Sequence, residues 1–205
     1  MFKRVFSFGI FIAIMCSLCS VAMASDTSEN KLNVSEVAQI CGITENEVKN
    51  FKNNFSVAMS KIQGKEYSSL DTIVVPISEN LIVEIDGGVS PSTATMAQVA
   101  VTQWHVWSTF HIKSRGGIEI LTLTAHGMFD CDGSTSKPVD AYSNYVSRFW
   151  SVVDTTNEVK STYTRSTFDS EFDIGIDPIS MTIQTSQDVC VLRCTPDGEG
   201  SWKWN

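Results

Sequence analysis

Two periodicities divide the chain. From Asn33 to Gln63, apolar residues recur at intervals of three and four. Val48, Phe51, Phe55, Met59 and Ile62 form one stripe over four turns, the spacing of an amphipathic helix. A shorter helix over 35–41 precedes it, with Asn33 or Ser35 as cap and Gly42 as its left-handed terminator. Thr44 and Glu47 stand three apart, as a capping box at the start of the second helix requires. A single stripe has nothing of its own to bury against, so this helical hairpin needs a partner surface.

Beyond Tyr67 the period becomes two. TIVVPI and LIVEI are short strand-like runs on either side of SEN, and DGGVSPSTATM reads as a linker or long loop. Alternating segments follow at roughly even spacing: QVAVTQWHVWSTFHIK, GIEILTLTAHGMF, NYVSRFWSVVD, EVKSTYTRSTF, SMTIQT and DVCVLRC. Turn-forming stretches such as SRGG, DCDGSTSKP and PDGEG separate them. The pattern predicts a mainly β chain with a small α element: a helical hairpin over 25–66, then an antiparallel β-sandwich over 67–205. About six to eight strands are expected, Ig-like or jelly-roll-like.

The SRGG hairpin can be read to the residue. Trp104, Val106, Phe110 and Ile112 are even-numbered, whereas Leu121, Leu123 and Ala125 are odd-numbered, and both sets must share one face. A tight turn at SRGG places Phe110 opposite Leu121 and Val106 opposite Ala125. His105 then lies opposite His126 on the other face, with Trp107 opposite Thr124 beside them.

The first 24 residues add a compartment. Lys3 and Arg4 precede an uncharged apolar run, and Ala22-Met23-Ala24 supplies a small-x-small cleavage site before Ser25. Residues 1–24 are therefore expected to be a signal peptide, and the protein secreted or extracytoplasmic. Removing them leaves 13 basic against 23 acidic residues, a formal charge of −10. That balance disfavours nucleic acid and anionic lipid as partners, and no later segment is long and apolar enough to span a membrane. Cys41, Cys131, Cys190 and Cys194 remain, an even number that makes disulfides candidates, with free buried thiols as the alternative.

Residues 37–51, VAQICGITENEVKNF, have spacing that resembles a DNA-binding helix-turn-helix, and also the helical half of a LysM module. The first likeness offers Thr44, Glu45, Asn46 and Glu47 where a DNA reader presents basic or amide side chains. The second covers about 15 residues and lacks both flanking strands of that module. Neither likeness assigns a functional residue, and both reduce to how two helices meet at Gly42.

Signatures of common catalysis are absent: no G-x-S-x-G, H-E-x-x-H, P-loop or dinucleotide fingerprint occurs, and no catalytic residue or cofactor is assigned. Two groups of side chains are candidates. Trp107, Trp202 and Trp204 could stack on sugar rings or on a partner protein if they are exposed. His105 and His126 could hold a metal, given a third ligand. The expected role is a non-enzymatic binding module for glycan or protein outside the cytoplasm. The alternative is a secreted hydrolase or metal-dependent enzyme centred on the two histidines.

Overall fold

The computed structural model describes residues 33–92, 101–148, 150–176 and 179–205, without the side chains of 173–184. All lie within one unit, Lys31–Asn205. The expected signal peptide, residues 1–24, lies outside the described residues.

Among the described residues three short helices come first: α1 (Val34–Cys41), α2 (Glu45–Lys49) and α3 (Phe51–Met59). Asn33 and Thr44 each form a capping box with Glu36 and Glu47, and Gly42 ends α1 at φ 67°. The stripe expected as one helix is broken at Asn50, yet Val48, Phe51, Phe55, Met59 and Ile62 are all buried.

Ten strands follow: β1 (Tyr67–Ser68), β2 (Ile73–Pro76), β3 (Leu81–Pro91), β4 (Thr102–Ser114) and β5 (Glu119–Cys131) come first. β6 (Ser136–Ser147), β7 (Ser151–Val159), β8 (Thr164–Ile176), β9 (Ile179–Cys194) and β10 (Gly200–Trp204) complete the set. They form two antiparallel five-stranded sheets, a front sheet ordered β2-β3-β4-β5-β6 and a back sheet ordered β1-β10-β9-β8-β7. Short turns join most neighbours, so the strands run up and down. The expected Ig-like or jelly-roll-like topology is corrected here, because both of those arrangements need Greek-key crossings.

The segments differ from the expected ones at two places. NYVSRFWSVVD splits into the end of β6 and the start of β7. At the split, Trp150 is buried against Phe51, Phe55 and Phe172, with ring centroids 5.2–6.0 Å away. The Ser147 hydroxyl bonds to the Trp150 backbone, holding the corner where the chain passes from front sheet to back sheet. Second, DGGVSP is not a loop, because Gly87 to Pro91 continue β3.

Those two glycines explain how a turn-like composition can be strand. A Cβ on Gly87 would sit 2.6 Å from the Trp107 carbonyl oxygen and 3.0 Å from the Trp202 indole. One on Gly88 would lie 2.1 Å from the Trp107 ring. Gly87 thus admits a tryptophan from inside and Gly88 one from outside, a use of strand glycine for close approach.

The β4–β5 register also differs from the tight-turn expectation. Gly117, at φ 86°, adds one residue to the turn, and a bulge between Ile112 and Lys113 adds another. Two single-residue shifts preserve which face each side chain takes but move the pairing by two. Phe110 pairs with Leu123, Val106 with Gly127 and Trp107 with His126. His105 faces Met128, not His126.

The inner faces of the two sheets meet in one core. Trp204 lies between them, with its ring centroid 5.4 Å from that of Phe110 and 6.0 Å from that of Phe168. Its indole N–H donates to Ser108 Oγ (2.9 Å), and that hydroxyl donates to the Asp86 carbonyl (2.9 Å). The helices cover part of this core through Phe51 and Phe55 and are fastened by Glu47. Its carboxylate accepts from the Thr44 N–H and hydroxyl at 2.8 and 3.0 Å. It also accepts from Ser78 Oγ, the Asn80 N–H and Asn80 Nδ2, at 2.5, 2.9 and 3.1 Å. A residue that caps α2 therefore also grips the β2–β3 turn.

Candidate functional site

Alternation decides where the aromatic candidates go. On β10, Gly200, Trp202 and Trp204 point inward, and both tryptophans are only 1% exposed. The expectation that Trp202 and Trp204 contribute exposed aromatics is overturned by this burial. SWKWN does place both on one face, but that face is the inner one. Trp107, on the opposite phase of β4, lies half-buried on the outside of the front sheet, against Gly88.

Around Trp107 the outer face carries a cluster of rings. His105 and Trp107 have centroids 5.2 Å apart, and His105 and His126 are 5.1 Å apart at an interplanar angle of 18°. His126 stacks on Tyr142 at 4.4 Å and 11°. The two histidines thus meet diagonally across β4 and β5, although they are not direct cross-strand partners. Tyr142, on β6, is the direct partner of His126 and is 42% exposed. His105 and Tyr142 are also near each other, 6.1 Å apart at 14°, so His105, His126 and Tyr142 form a compact triangle, with Trp107 tilted beside His105.

Hydrogen bonds fix the tautomers. His126 Nε2 lies 3.1 Å from Asn144 Oδ1, which can only accept, so this nitrogen carries a proton. His126 Nδ1 is then an acceptor, and His105 Nε2–H donates to it over 3.0 Å. The Tyr142 oxygen lies 3.4 Å from the same His105 nitrogen. Burial lowers the pKa of His105. For His126, burial and the neighbouring His105 charge lower it against the opposing bond to Asn144. Both rings are consequently neutral near pH 7 and present polar edges beside Trp107 and Tyr142. In these tautomers the His126 Nδ1 lone pair is engaged, so a metal would have to displace the His105 bond. Among the described residues, no three His, Cys, Asp or Glu side chains gather as ligands.

The remaining acidic and sulfur groups have local roles. Asp132, in the turn that superficially resembles a calcium loop, accepts from the Ser134 N–H, the Thr135 N–H and the Thr135 hydroxyl. These bonds hold its carboxyl below the usual range and occupy the oxygens within its own turn. His111 lies on the same outer face, 3.5 Å from Glu119 and 3.7 Å from Asp86, at the far end of β4 from the ring cluster. A depression of about 280 Å³ lies on the back sheet beside the β7 bulge, lined by Val153, Asp169, Glu171 and Gln187 among others. None of the predicted site residues reaches it. All four described cysteines are free, buried thiols, so none of the candidate disulfides is formed here.

Sequence reasoning missed Tyr142, because the strand expected over 144–154 left VDAYS outside it, and it gave Asn144 no role. The missed signal is alternation through 139–146, where even-numbered Tyr142 and Asn144 share a face. No protein-family model, no curated protein and no solved structure matches this chain, so its reading rests on its own residues.

Proposed function

We propose that the protein is an exported, non-enzymatic recognition module with a sandwich-like body. Its contact surface is the outer face of the front sheet, centred on Trp107, His105, His126 and Tyr142. The observation that carries the reading is the ring cluster itself. Four neighbouring rings on the outer face, three of them nearly parallel, are not needed to close the core behind them.

A glycan is the favoured partner class. Aromatic rings suit the apolar faces of sugar rings. The histidine edges lie beside Trp107 and Tyr142, and the next row along the sheet holds Asn144 and the hydroxyls of Thr109 and Thr124, which bond to each other (3.4 Å). This mixture suits hydroxyl-rich ligands better than the charge-depleted apolar centre of a protein interface. A protein partner is the second reading, supported by the exposed Val146 on the same face of β6.

The test is an array of cell-surface oligosaccharides probed with the full chain and with Trp107→Ala and Tyr142→Ala. Glycan binding lost in both variants, with thermal stability kept, supports the proposal. Binding that survives both substitutions overturns the site. Metal analysis of the same preparation addresses the enzymatic alternative. Stoichiometric zinc that disappears in His105→Ala and His126→Ala would replace this reading with a metal-dependent one. Recovery outside the cytoplasm, with Ser25 as the new N-terminus, tests export.

A further inference from the structure

Cys131 closes β5 of the front sheet and Cys194 closes β9 of the back sheet. Although 63 positions apart in sequence, their sulfurs are 3.9 Å from each other. Both side chains are buried, and the Cys131 sulfur is bracketed by Ser136 Oγ and the Thr195 carbonyl, each at 3.4 Å. A sulfur–sulfur separation of 3.9 Å is non-bonded contact, whereas a disulfide needs about 2.05 Å. Rotation about one or both Cα–Cβ bonds is the movement that closing this difference requires. The other two thiols are placed differently. Cys41 ends α1, and Cys190 lies opposite Ser166 and Trp204 within the back sheet.

We infer that Cys131 and Cys194 form the single disulfide of the exported protein, a latch joining the two sheets at the ends of β5 and β9. The inference rests on the export reading for its setting but not for its geometry. The oxidant is a disulfide, either a small molecule or an oxidoreductase. One cysteine thiolate attacks it, forming a mixed disulfide and releasing one thiol. The second cysteine then attacks the mixed disulfide, forming the Cys131–Cys194 bond and releasing the second thiol. Two protein S–H groups are oxidised, one external disulfide is reduced, and the two protons end on the released thiols.

Packing determines when this happens. Burial, reinforced by Cys131 alongside, pushes the Cys194 thiol up to about 12, so little thiolate exists once the sheets have closed. Oxidation therefore belongs to folding, before the strand ends are covered. The same burial afterwards shields the bond from reductants. Linking residues this far apart constrains the unfolded chain strongly, so the oxidised form should melt on the order of 10 °C higher.

The full chain, reduced and denatured, is refolded in a glutathione–glutathione disulfide buffer. It is then alkylated under denaturant, digested and mapped by mass spectrometry. The expected result is one linked peptide pair containing Cys131 and Cys194, with Cys41 and Cys190 alkylated. Cys131→Ser and Cys194→Ser should each abolish the link and remove the effect of reductant on the melting temperature. Full alkylation of Cys131 and Cys194 in the refolded wild type, or linkage through Cys41 or Cys190, would overturn the inference. Because refolding is done outside the cell, a failure of export does not alter this result. Subcellular fractionation tests export separately.

Discussion

Trp202 and Trp107 press on adjacent glycines from opposite sides of one strand. Trp202 meets Gly87 inside the core, and Trp107 meets Gly88 on the outer surface. Composition does not separate the two indoles, whereas strand phase does. The inner one is 1% exposed and completes a core that includes Trp204, Phe110 and Phe168. The outer one belongs to a cluster of rings that no inner layer requires. In a two-sheet protein, then, an aromatic residue becomes a candidate for recognition only after its phase is known.

The comparison breaks most visibly if the inner side is cut. Trp204→Ala should cost about 3–5 kcal/mol of stability, through lost burial and an unfilled cavity between the sheets. Chemical denaturation followed by tryptophan fluorescence measures this. A loss below about 1 kcal/mol would mean that the indole is not the core element described here.

The next effect is the buried carboxyl of Asp188, also on the back sheet. Its Oδ2 accepts from Ser186 Oγ, which in turn contacts Ser170 Oγ, both at 2.9 Å. Burial raises its pKa to about 6, against the opposing Ser186 bond. The folded value lies above the unfolded one, so the folded state holds the proton more tightly. Its stabilising contribution is complete below about pH 4 and is lost as pH rises through about 6. The total is about 3 kcal/mol. Asp188→Asn keeps an acceptor for Ser186 and should remove that dependence, leaving the variant more stable than wild type at pH 7. Urea midpoints between pH 4 and 7 test the sign.

Glu47 offers the opposite slope. Burial favours its neutral form, but bonds from Ser78, Thr44 and Asn80 outweigh that and hold the carboxyl at about 2. Its contribution is present above the ordinary carboxylate range and is lost as pH falls toward about 2. Glu47→Gln replaces an all-accepting group with one that carries its own donors, facing Ser78, Asn80 and Thr44. A loss of about 1–2 kcal/mol is expected at pH 7. The acid-side slope should shrink in the same variant, as pH-dependent thermal melts would show.

Particular residues show what the sequence could reveal. The capping pair Thr44–Glu47 and the stripe from Val48 to Ile62 were legible because helix ends and helix faces are local properties. The reach of Glu47 to Ser78 and Asn80 was not legible, since it spans more than 30 positions and joins different elements. The parity of β4 against β5 was legible from alternation. The exact pairing was not, because Gly117 and the bulge at Ile112 each add a residue without changing the hydrophobic pattern. Even so, His105 and His126 come together, through diagonal contact between long side chains. Trp202 and Trp204 were correctly assigned to one face, but a five-residue strand does not say whether that face meets solvent or a second sheet.

The smallest stability change is expected where the functional effect should be largest. Trp107→Ala and Tyr142→Ala should each cost less than about 1 kcal/mol of folding stability, as truncations on an outer face. If the ring cluster is the contact surface, each should weaken glycan binding at least about tenfold.

The most direct measurement of the central claim follows the indole N–H resonances of the five tryptophans by NMR. The chain is titrated with soluble cell-wall oligosaccharide fragments. The account predicts that the Trp107 signal shifts with ligand concentration, that those of Trp202 and Trp204 stay in place, and that Tyr142→Ala suppresses the shift. Shifts confined to other tryptophans, or no shift across the fragment set, would contradict the assignment of the outer face as the recognition surface.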